Sequence, residues 1–166
     1  LSRVKYEIPE RNWSWADVVA DAGDSQQGLA ILNTRKDALE LLKEFQGTVE
    51  PDALFHLSTL LCGAHRRKVL AEVRSRLTNK LPCWLISTQV VEAGVDLDFP
   101  LVYRALGPLD RIVQAAGRCN REGKIIGKGR VVIFTPEDGN MPTGEYATAI
   151  SQTANLIKQN PDFDNP

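Results

Sequence analysis

Short apolar runs separated by amphipathic stretches are the dominant pattern of this 166-residue chain. Each run is too short for a typical buried helix and lies between polar or turn-forming residues, so it predicts a strand buried on both faces. Residues 3–8, which Pro9 ends, predict a further strand at the edge of the sheet. The apolar runs are GLAILN (28–33), ALFHL (53–57), CWLIS (83–87), LVYR (101–104) and RVVIF (130–134).

The stretches between these runs carry the signals of amphipathic helices. Ser14 with Asp17, and Thr34 with Asp37, have the spacing of a capping box, in which a side-chain oxygen accepts a hydrogen bond from the first helical turn. After Thr34, apolar residues recur at the i, i+3, i+4 and i+7 positions of one helical face. The predicted helices run from residue 14 to 22, from 34 to Gly47, from 65 to 77, from Pro108 to about Gly117, and through Tyr146, Ile150 and Ile157.

Strands that alternate with helices of this length predict βαβ units and a fold of the α/β class. We expect three layers, with about six mostly parallel strands in one sheet and helices on both of its faces. In such sheets ligands bind beyond the carboxyl ends of the strands, and we expect the polar clusters described below to lie there. The loops concerned follow Asn33, Leu57, Ser87, Arg104 and Phe134.

Size and composition indicate one ordinary globular domain. The chain has 43% hydrophobic and 25% charged residues, and no run approaches the roughly 20 apolar residues of a membrane-spanning helix, so a cytoplasmic location without membrane contact is expected. A net charge of -1 excludes a uniformly basic protein that coats nucleic acid, but it allows a local basic track. The three cysteines lack the paired spacing of a zinc site, so free thiols and no bound metal are expected. The chain begins at Leu1, which predicts that residues 1–166 are a single domain cut from a longer protein.

The segment QAAGRCNR (114–121) concentrates groups that bind anions. Gly117, Arg118 and Arg121 stand 3, 4 and 7 residues after Gln114, so a helix would place all four on one face. Two guanidinium groups that point in one direction suit a polyphosphate, as in an arginine finger that stabilises charge on a phosphate held by another domain. The alternative is that both arginines pair with surface carboxylates.

The segment STQVVEAGVDLD (87–98) places another polar cluster just beyond a predicted strand. Its first hydroxyl and amide groups, with Thr88 among them, suit phosphate or sugar contacts, and the carboxylate of Asp96 suits a ribose hydroxyl. Gly94 would let a backbone approach closely. A polar turn with a solvated aspartate would explain the same residues. This segment therefore supports a ligand site only together with the arginine segment.

Sequence patterns that bind nucleotide phosphates by themselves are missing from the chain. It contains no GxxxxGK[ST] phosphate loop, no GxGxxG, and no apolar strand that ends in Asp-Glu and would hold magnesium. A complete ATPase is therefore excluded. A domain with arginines that act in trans, and without a phosphate loop of its own, fits one half of a two-lobe motor.

Four segments of the chain resemble the motifs of a known family. QAAGRCNR fits the QxxGRxxR motif of superfamily 2 helicases in full, and STQVVEAGVDLDF resembles the motif that precedes it in that superfamily. In wording both segments are most similar to the CRISPR-associated helicase-nuclease of type I interference systems. AILNTRKDALEL and HLSTLLCGAHRRKVL resemble further motifs of the same lobe, so the resemblance extends over residues 28–134.

The resemblance implies a role for each matching position. The chain would be the second RecA-like lobe of an ATP-driven translocase, with ATP bound in the cleft to a first lobe that supplies the phosphate loop and holds Mg²⁺. Arg118 and Arg121 would contact the γ-phosphate, and Gln114 would order the interface. The positions implied next to the nucleotide are Gly94, Asp96 and Gly117. The positions implied along the backbone of a single DNA strand are Asn33, Thr34, Arg35, Ser58, Thr59 and Thr88.

The resemblance also implies partners and a cellular role in antiviral defence. The partners are a first RecA-like lobe in the same full-length protein, an HD nuclease domain and a CRISPR RNA-guided surveillance complex. The basic run 65–68 at the start of a predicted helix adds Arg66 and Arg67 to the expected DNA contacts, with a solvated helix end as the alternative. Two other functions stay open: a lobe of another superfamily 2 motor, in DNA repair or acting on RNA, and a nonenzymatic α/β interaction domain.

Overall fold

The computed structural model of the chain describes residues 3–88, 96–139 and 144–159. Six strands in these ranges form one sheet in which every neighbouring pair is parallel, so the predicted strands and the α/β class are confirmed. The sheet has the order β1-β6-β5-β2-β4-β3. The strands are β1 (Val4–Glu7), β2 (Gln27–Ile31), β3 (Leu54–Leu57), β4 (Cys83–Ser87), β5 (Leu101–Ala105) and β6 (Gly129–Phe134).

Helices cover both faces of this sheet and complete the three predicted layers. The helices are α1 (Trp15–Ala22), α2 (Arg35–Phe45), α3 (Gly63–Thr78), α4 (Leu109–Ala116) and α5 (Glu145–Gln159), and a short 3₁₀ turn (Pro51–Ala53) precedes β3. On one face α1 and α2 bury apolar residues such as Phe45 against the sheet, and on the other face α3, α4 and α5 bury residues such as Ile112. None of the described helices is long and apolar enough to cross a membrane.

The strands read as continuous apolar runs because both of their faces are buried. Leu29 and Ile31 of β2 belong to the core under α3, α4 and α5, whereas Ala30 and the following Leu32 belong to the core under α1 and α2. All four side chains are fully buried. An antiparallel sheet with one solvated face would have shown an alternating pattern instead.

Local hydrogen bonds explain where two of the helices begin. The Ser14 hydroxyl accepts a hydrogen bond from the Asp17 backbone N–H, and the Asp17 carboxylate accepts one from the Ser14 N–H, which completes the predicted capping box of α1. The Thr34 hydroxyl accepts from the backbone N–H of Asp37 at the start of α2. Both helices therefore begin where the sequence predicts, since capping depends only on residues within one turn.

An ion-pair network fastens the edge strand β1 to the rest of the molecule. The guanidinium of Arg130 in β6 donates to Glu7 Oε2 over 2.8 Å and to both carboxylate oxygens of Asp21 over 2.7 and 2.8 Å. The Tyr103 hydroxyl donates to the same Asp21 carboxylate over 2.6 Å. The network joins β1, β5, β6 and α1, and it supports the strand that borders one part of the site described next.

Candidate functional site

Three loops meet at the carboxyl edge of the sheet, where the neighbouring strands β2, β4 and β3 end. The Leu32 N–H donates to the Ser87 carbonyl over 2.9 Å, and the Thr88 N–H donates to the Leu57 carbonyl over 3.4 Å. These bonds hold the adjacent strand ends together. The predicted strand-contacting residues that they bring to one edge are Asn33, Thr34, Arg35, Ser58, Thr59 and Thr88.

The side chains at this carboxyl edge differ in exposure. Arg35 and Thr59 are exposed, and Thr34 is half-buried with its hydroxyl at the N-terminus of α2. Ser58 and Thr88 are buried, with 4% and 8% of their surface exposed. A ligand at this edge would therefore meet the side chains of Arg35 and Thr59 first.

Asn33 faces the end of β5. Its Oδ1 accepts a hydrogen bond from Arg104 Nη1 over 2.8 Å, and its Nδ2 donates to the Leu106 carbonyl over 2.8 Å. Arg104 is fully buried and is not among the predicted site residues. The available signal was a cation at the end of the otherwise apolar run LVYR, a position where a charge needs partners within the fold.

The basic run 65–68 lies in the first turns of α3, directly after the loop that carries Ser58 and Thr59. The helix begins at Gly63, slightly before the predicted start at residue 65. Arg67 is exposed and Arg66 is half-buried. The run is thus continuous with the carboxyl edge along the chain, as a basic track requires.

Arg118 and Arg121 lie at the opposite edge of the sheet, so two expectations about them are wrong. α4 ends at Ala116, and the arginines therefore follow the helix and do not share a helical face with Gln114. The Phe99 N–H donates to the Arg118 carbonyl over 2.8 Å, and Phe99 precedes the first residue of β5. The arginines consequently lie at the amino end of β5 and not beyond the carboxyl ends of the strands.

The return of the chain along α4 and the turn after it set this position. α4 runs back along the sheet for eight residues, about 12 Å, so the chain leaves it at the edge where β5 begins. Gly117 caps the helix, and Asn120 has a φ of 47°, a left-handed conformation that asparagine adopts more readily than most residues. Asn120 Nδ2 donates to the Arg3 carbonyl over 3.1 Å, and Arg3 Nη1 donates to the Arg121 carbonyl over 2.6 Å. The residue before β1 therefore braces the arginine loop.

Two aspartates before β5 hold the arginine loop from the other side. Asp98 accepts hydrogen bonds from the backbone N–H groups of Arg121 and Glu122 over 2.7 and 3.1 Å. Asp96 Oδ1 accepts from Arg121 Nη1 over 2.6 Å, in a pair whose side chains are 48% exposed for the arginine and 78% for the aspartate. Arg121 thus pairs with a carboxylate here, and the predicted ribose contact of Asp96 stays a prediction. Gly94 lies outside the described residues.

Arg118 is half-buried beside Arg121. Burial and the neighbouring charge of Arg121 lower the pKa of Arg118, and Asp96 partly opposes them. An arginine stays protonated all the same, so two cations are held close together at the surface. A cleft of about 330 Å³ opens beside Arg121, and Gln114 is exposed on the nearby α4. The residues that line this cleft include Arg3, Tyr6, Val113, Gly117, Cys119 and Arg121.

The donor set at this edge suits an anion with several oxygens. The forked guanidinium of Arg121 presents its donors at an exposed surface, and a bound anion would offset the repulsion between the two arginines. Within the described ranges, no group of three or more histidine, cysteine, aspartate or glutamate residues could hold a metal ion.

The fold and the two edges together define a class of protein. The all-parallel six-stranded sheet with helices on both faces is a fold that solved structures of helicase C-terminal lobes share. The chain is similar over 98% of its length to the structure of the C-terminal domain of the DEAD-box protein Dbp5, with a TM-score of 0.66 at 14% identity, and it covers 87% of that chain. The fold is that of the second, C-terminal RecA-like lobe of a helicase.

The sequence assigns the lobe to one family. Residues 24–124, more than half of the chain, match the family described as "CRISPR-associated nuclease/helicase Cas3, C-terminal", and the chain belongs to this Cas3-like family. It is 49% identical over 76 residues to the CRISPR-associated nuclease/helicase Cas3 of Haloferax volcanii, a match that covers 43% of this chain and 8% of that protein. It is also similar to the crystal structure of T. fusca Cas3 with ATP, with a TM-score of 0.74 at 22% identity over 97% of this chain and 22% of that one. The chain therefore spans a small part of the proteins that it resembles.

Proposed function

We propose that this lobe is the second half of an ATP-dependent single-stranded DNA translocase that acts in CRISPR interference. The observation that carries the proposal is the arginine loop at the amino end of β5, where Arg121 lines an open cleft and the half-buried Arg118 is near enough for the two charges to repel. The membership of the chain in the Cas3-like family favours a CRISPR-associated motor over a DNA-repair or RNA helicase. In this proposal a first RecA-like lobe of the same full-length protein supplies the phosphate loop and holds Mg²⁺.

On the nucleotide side the residues present fit ATP. Arg121 would exchange its exposed Asp96 partner for a phosphate oxygen, and Arg118 would add a second positive charge from its half-buried position. The Asp96 carboxylate, released from that pair, would then be available to a ribose hydroxyl. Gly117 and Gln114 would border the nucleotide at the end of α4. ATP supplies the phosphoanhydride that is hydrolysed, and the arginines stabilise charge on the transferred phosphoryl group.

On the DNA side the carboxyl edge would hold a single strand by its backbone. The exposed Arg35 and Thr59 offer a cation and a hydroxyl, and Arg66 and Arg67 extend the positive charge along α3. The buried Ser58 and Thr88 would contribute from beneath the surface, and Asn33 and Thr34 would shape the loop after β2. Binding of this kind does not recognise bases and weakens as salt concentration rises.

The proposed partners follow from the family. Relatives of this chain are named as nuclease/helicases, so we propose that the full-length protein carries an HD nuclease domain and is recruited by a CRISPR RNA-guided surveillance complex in the cytoplasm. Closure of the two lobes on ATP and their release after hydrolysis would step the protein along the strand. The cut itself would be made by the nuclease domain.

The deciding experiment compares two arginine variants of the full-length protein. Arg121→Ala removes an exposed arginine that pairs with Asp96, and Arg11→Ala removes an exposed arginine that pairs with Asp17 at the start of α1. DNA-stimulated ATP hydrolysis is expected to fall by about a thousandfold or more in the first variant and to stay unchanged in the second. Circular dichroism and thermal unfolding should show that both variants are folded.

Near-normal hydrolysis by Arg121→Ala would contradict the arginine-finger role and would leave Arg121 as the surface partner of Asp96. The isolated chain provides a second arm of the same experiment. It is expected neither to hydrolyse ATP nor to bind it tightly, because the phosphate loop and the magnesium site belong to the first lobe in this proposal. Robust hydrolysis by the purified chain would contradict the half-site.

A further inference from the structure

A buried arginine lies at the carboxyl edge of the sheet, between the loops that follow β2 and β5. Arg104, near the end of β5, is fully buried, and its Nη1 donates to Asn33 Oδ1 over 2.8 Å and to the Ala105 carbonyl over 2.7 Å. Asn33 in turn donates from Nδ2 to the Leu106 carbonyl over 2.8 Å. One pair of side chains thus ties the loop after β2 to the loop after β5.

The loop after β2 leads directly to the proposed strand contacts. Asn33 precedes Thr34, whose hydroxyl accepts from the Asp37 N–H, and Thr34 precedes Arg35, the exposed first residue of α2. These three residues are consecutive, so Arg35 at the start of α2 is only two residues from Asn33.

The loop after β5 leads to the arginines at the other edge. Leu106 and Gly107 connect β5 to Pro108, the residue that opens α4. The Arg104 guanidinium packs directly on Gly107, because a Cβ added there would lie 2.8 Å from Arg104 Nη2 and 3.4 Å from Asn33 Oδ1. α4 then runs without interruption to the cap that precedes Arg118, so a shift at its first turn is carried along the helix axis.

We propose that Arg104 is a positioning residue that couples a DNA strand at the carboxyl edge to the arginine loop at the amino edge. The coupling runs through Asn33 on one side and through Gly107 and α4 on the other. It rests on the proposed function and adds to it the contact by which one ligand site senses the other. In physical terms, the strand and the nucleotide favour the same arrangement of the Asn33–Arg104–Gly107 contact.

The test uses the full-length protein and two variants that leave the proposed ligand contacts intact. Arg104→Lys keeps the positive charge but has a shorter side chain without the planar guanidinium that packs on Gly107 and reaches Asn33. Gly107→Ala keeps Arg104 and pushes its guanidinium away from Asn33. The matched control is Arg130→Lys, which makes the same exchange on the neighbouring strand β6, in a network with Glu7 and Asp21.

Three quantities are measured for each variant. They are ATP hydrolysis without DNA, ATP hydrolysis at saturating single-stranded oligothymidylate, and direct binding of a fluorescent oligothymidylate. We expect Arg104→Lys and Gly107→Ala to keep basal hydrolysis and DNA affinity within about twofold and to lower the ratio of stimulated to basal hydrolysis by about tenfold. The double variant should be no worse than the stronger single one, because both changes break one contact. Arg130→Lys should lower thermal stability and keep the ratio.

An unchanged ratio in both variants would overturn the coupling. An equal loss of basal and stimulated hydrolysis would overturn it as well, because a smaller folded fraction lowers both rates together. If Arg104→Lys does not fold, Gly107→Ala decides the question alone. The proposed function fails separately: an unaltered protein whose hydrolysis does not respond to DNA would refute that function and this inference together, whereas a responsive protein with unchanged variants refutes the inference only.

Discussion

Replacing Arg130 with methionine should destabilise this lobe strongly at neutral pH and much less in acid. The side chain makes three hydrogen bonds to two carboxylates, one to Glu7 and two to Asp21, at 2.7 to 2.8 Å. It joins the edge strand β1 to β6 and to α1. Methionine keeps most of the aliphatic stem but removes the charge and all three donors.

The size of the effect follows from the exposure of the three side chains. Arg130 is 33% exposed, Glu7 is 31% and Asp21 is 22%, so the pairs are neither fully solvated nor fully buried. Buried hydrogen bonds to charged groups contribute about 1.5 to 3 kcal/mol each, and exposed ion pairs contribute about 0 to 1 kcal/mol. An intermediate value of roughly 1 kcal/mol for each bond predicts that the free energy of unfolding falls by about 3 kcal/mol at neutral pH.

The pH dependence follows from the carboxylates. The pKa of Glu7 is lowered chiefly by its hydrogen bond from Arg130. Burial opposes ionisation of Asp21, but the hydrogen bonds from Arg130 and Tyr103 outweigh it and lower the pKa of that carboxyl too. A carboxyl group whose pKa is lower in the folded state stabilises the fold above its unfolded pKa, here about 4, and loses that contribution as the pH falls through the folded value. The difference between wild type and variant should therefore shrink in acid.

Urea unfolding followed by tryptophan fluorescence measures both quantities between about pH 7 and about pH 3. Arg11→Met is the matched control, because the Arg11 side chain is 67% exposed and pairs with a single carboxylate, Asp17, so it should change stability less. A loss below about 1 kcal/mol at neutral pH would refute the reasoning about the network. An equal loss at both ends of the pH range would refute the assignment of the effect to Glu7 and Asp21.

Two further predictions concern the cysteines and the basic run. Burial raises the pKa of Cys83 and of Cys119 to about 12, whereas Cys62 is exposed. Only Cys62 should therefore react with iodoacetamide near pH 8 in the folded chain. Rapid labelling of either buried thiol, detected by mass spectrometry, would contradict the core packing. Replacing both Arg66 and Arg67 with alanine in the full-length protein should weaken binding of single-stranded DNA and reduce the slope of log affinity against log salt concentration by about 1.4. The control is alanine substitution of Arg74, which is exposed on the same helix. An unchanged slope would remove Arg66 and Arg67 from the strand contacts.

The candidate site was only partly predictable from the sequence. The arginine segment and the strand-end residues were found because each is a short pattern of chemically distinct groups. Their predicted grouping at one edge of the sheet is wrong, because Arg118 and Arg121 lie at the other edge. The supporting residues Arg3 and Asp98 were not singled out, because each contacts the arginine loop through backbone groups, which no side-chain pattern reveals.

Local features of the chain were determined by the sequence alone. Strand positions, the capping of α1 and α2 and the α/β class follow from interactions within a few residues and from burial on both faces of the sheet. Only the tertiary structure decided which strands are neighbours, where the arginine loop emerges and that Arg104 meets Asn33, which is 71 residues away along the chain. Hydrophobic periodicity reports that a strand is buried but not beside which strand, because strand order depends on how whole helices pack across the sheet. The separation of the two edges, and the contact between the loops after β2 and β5, are therefore properties of the assembled fold.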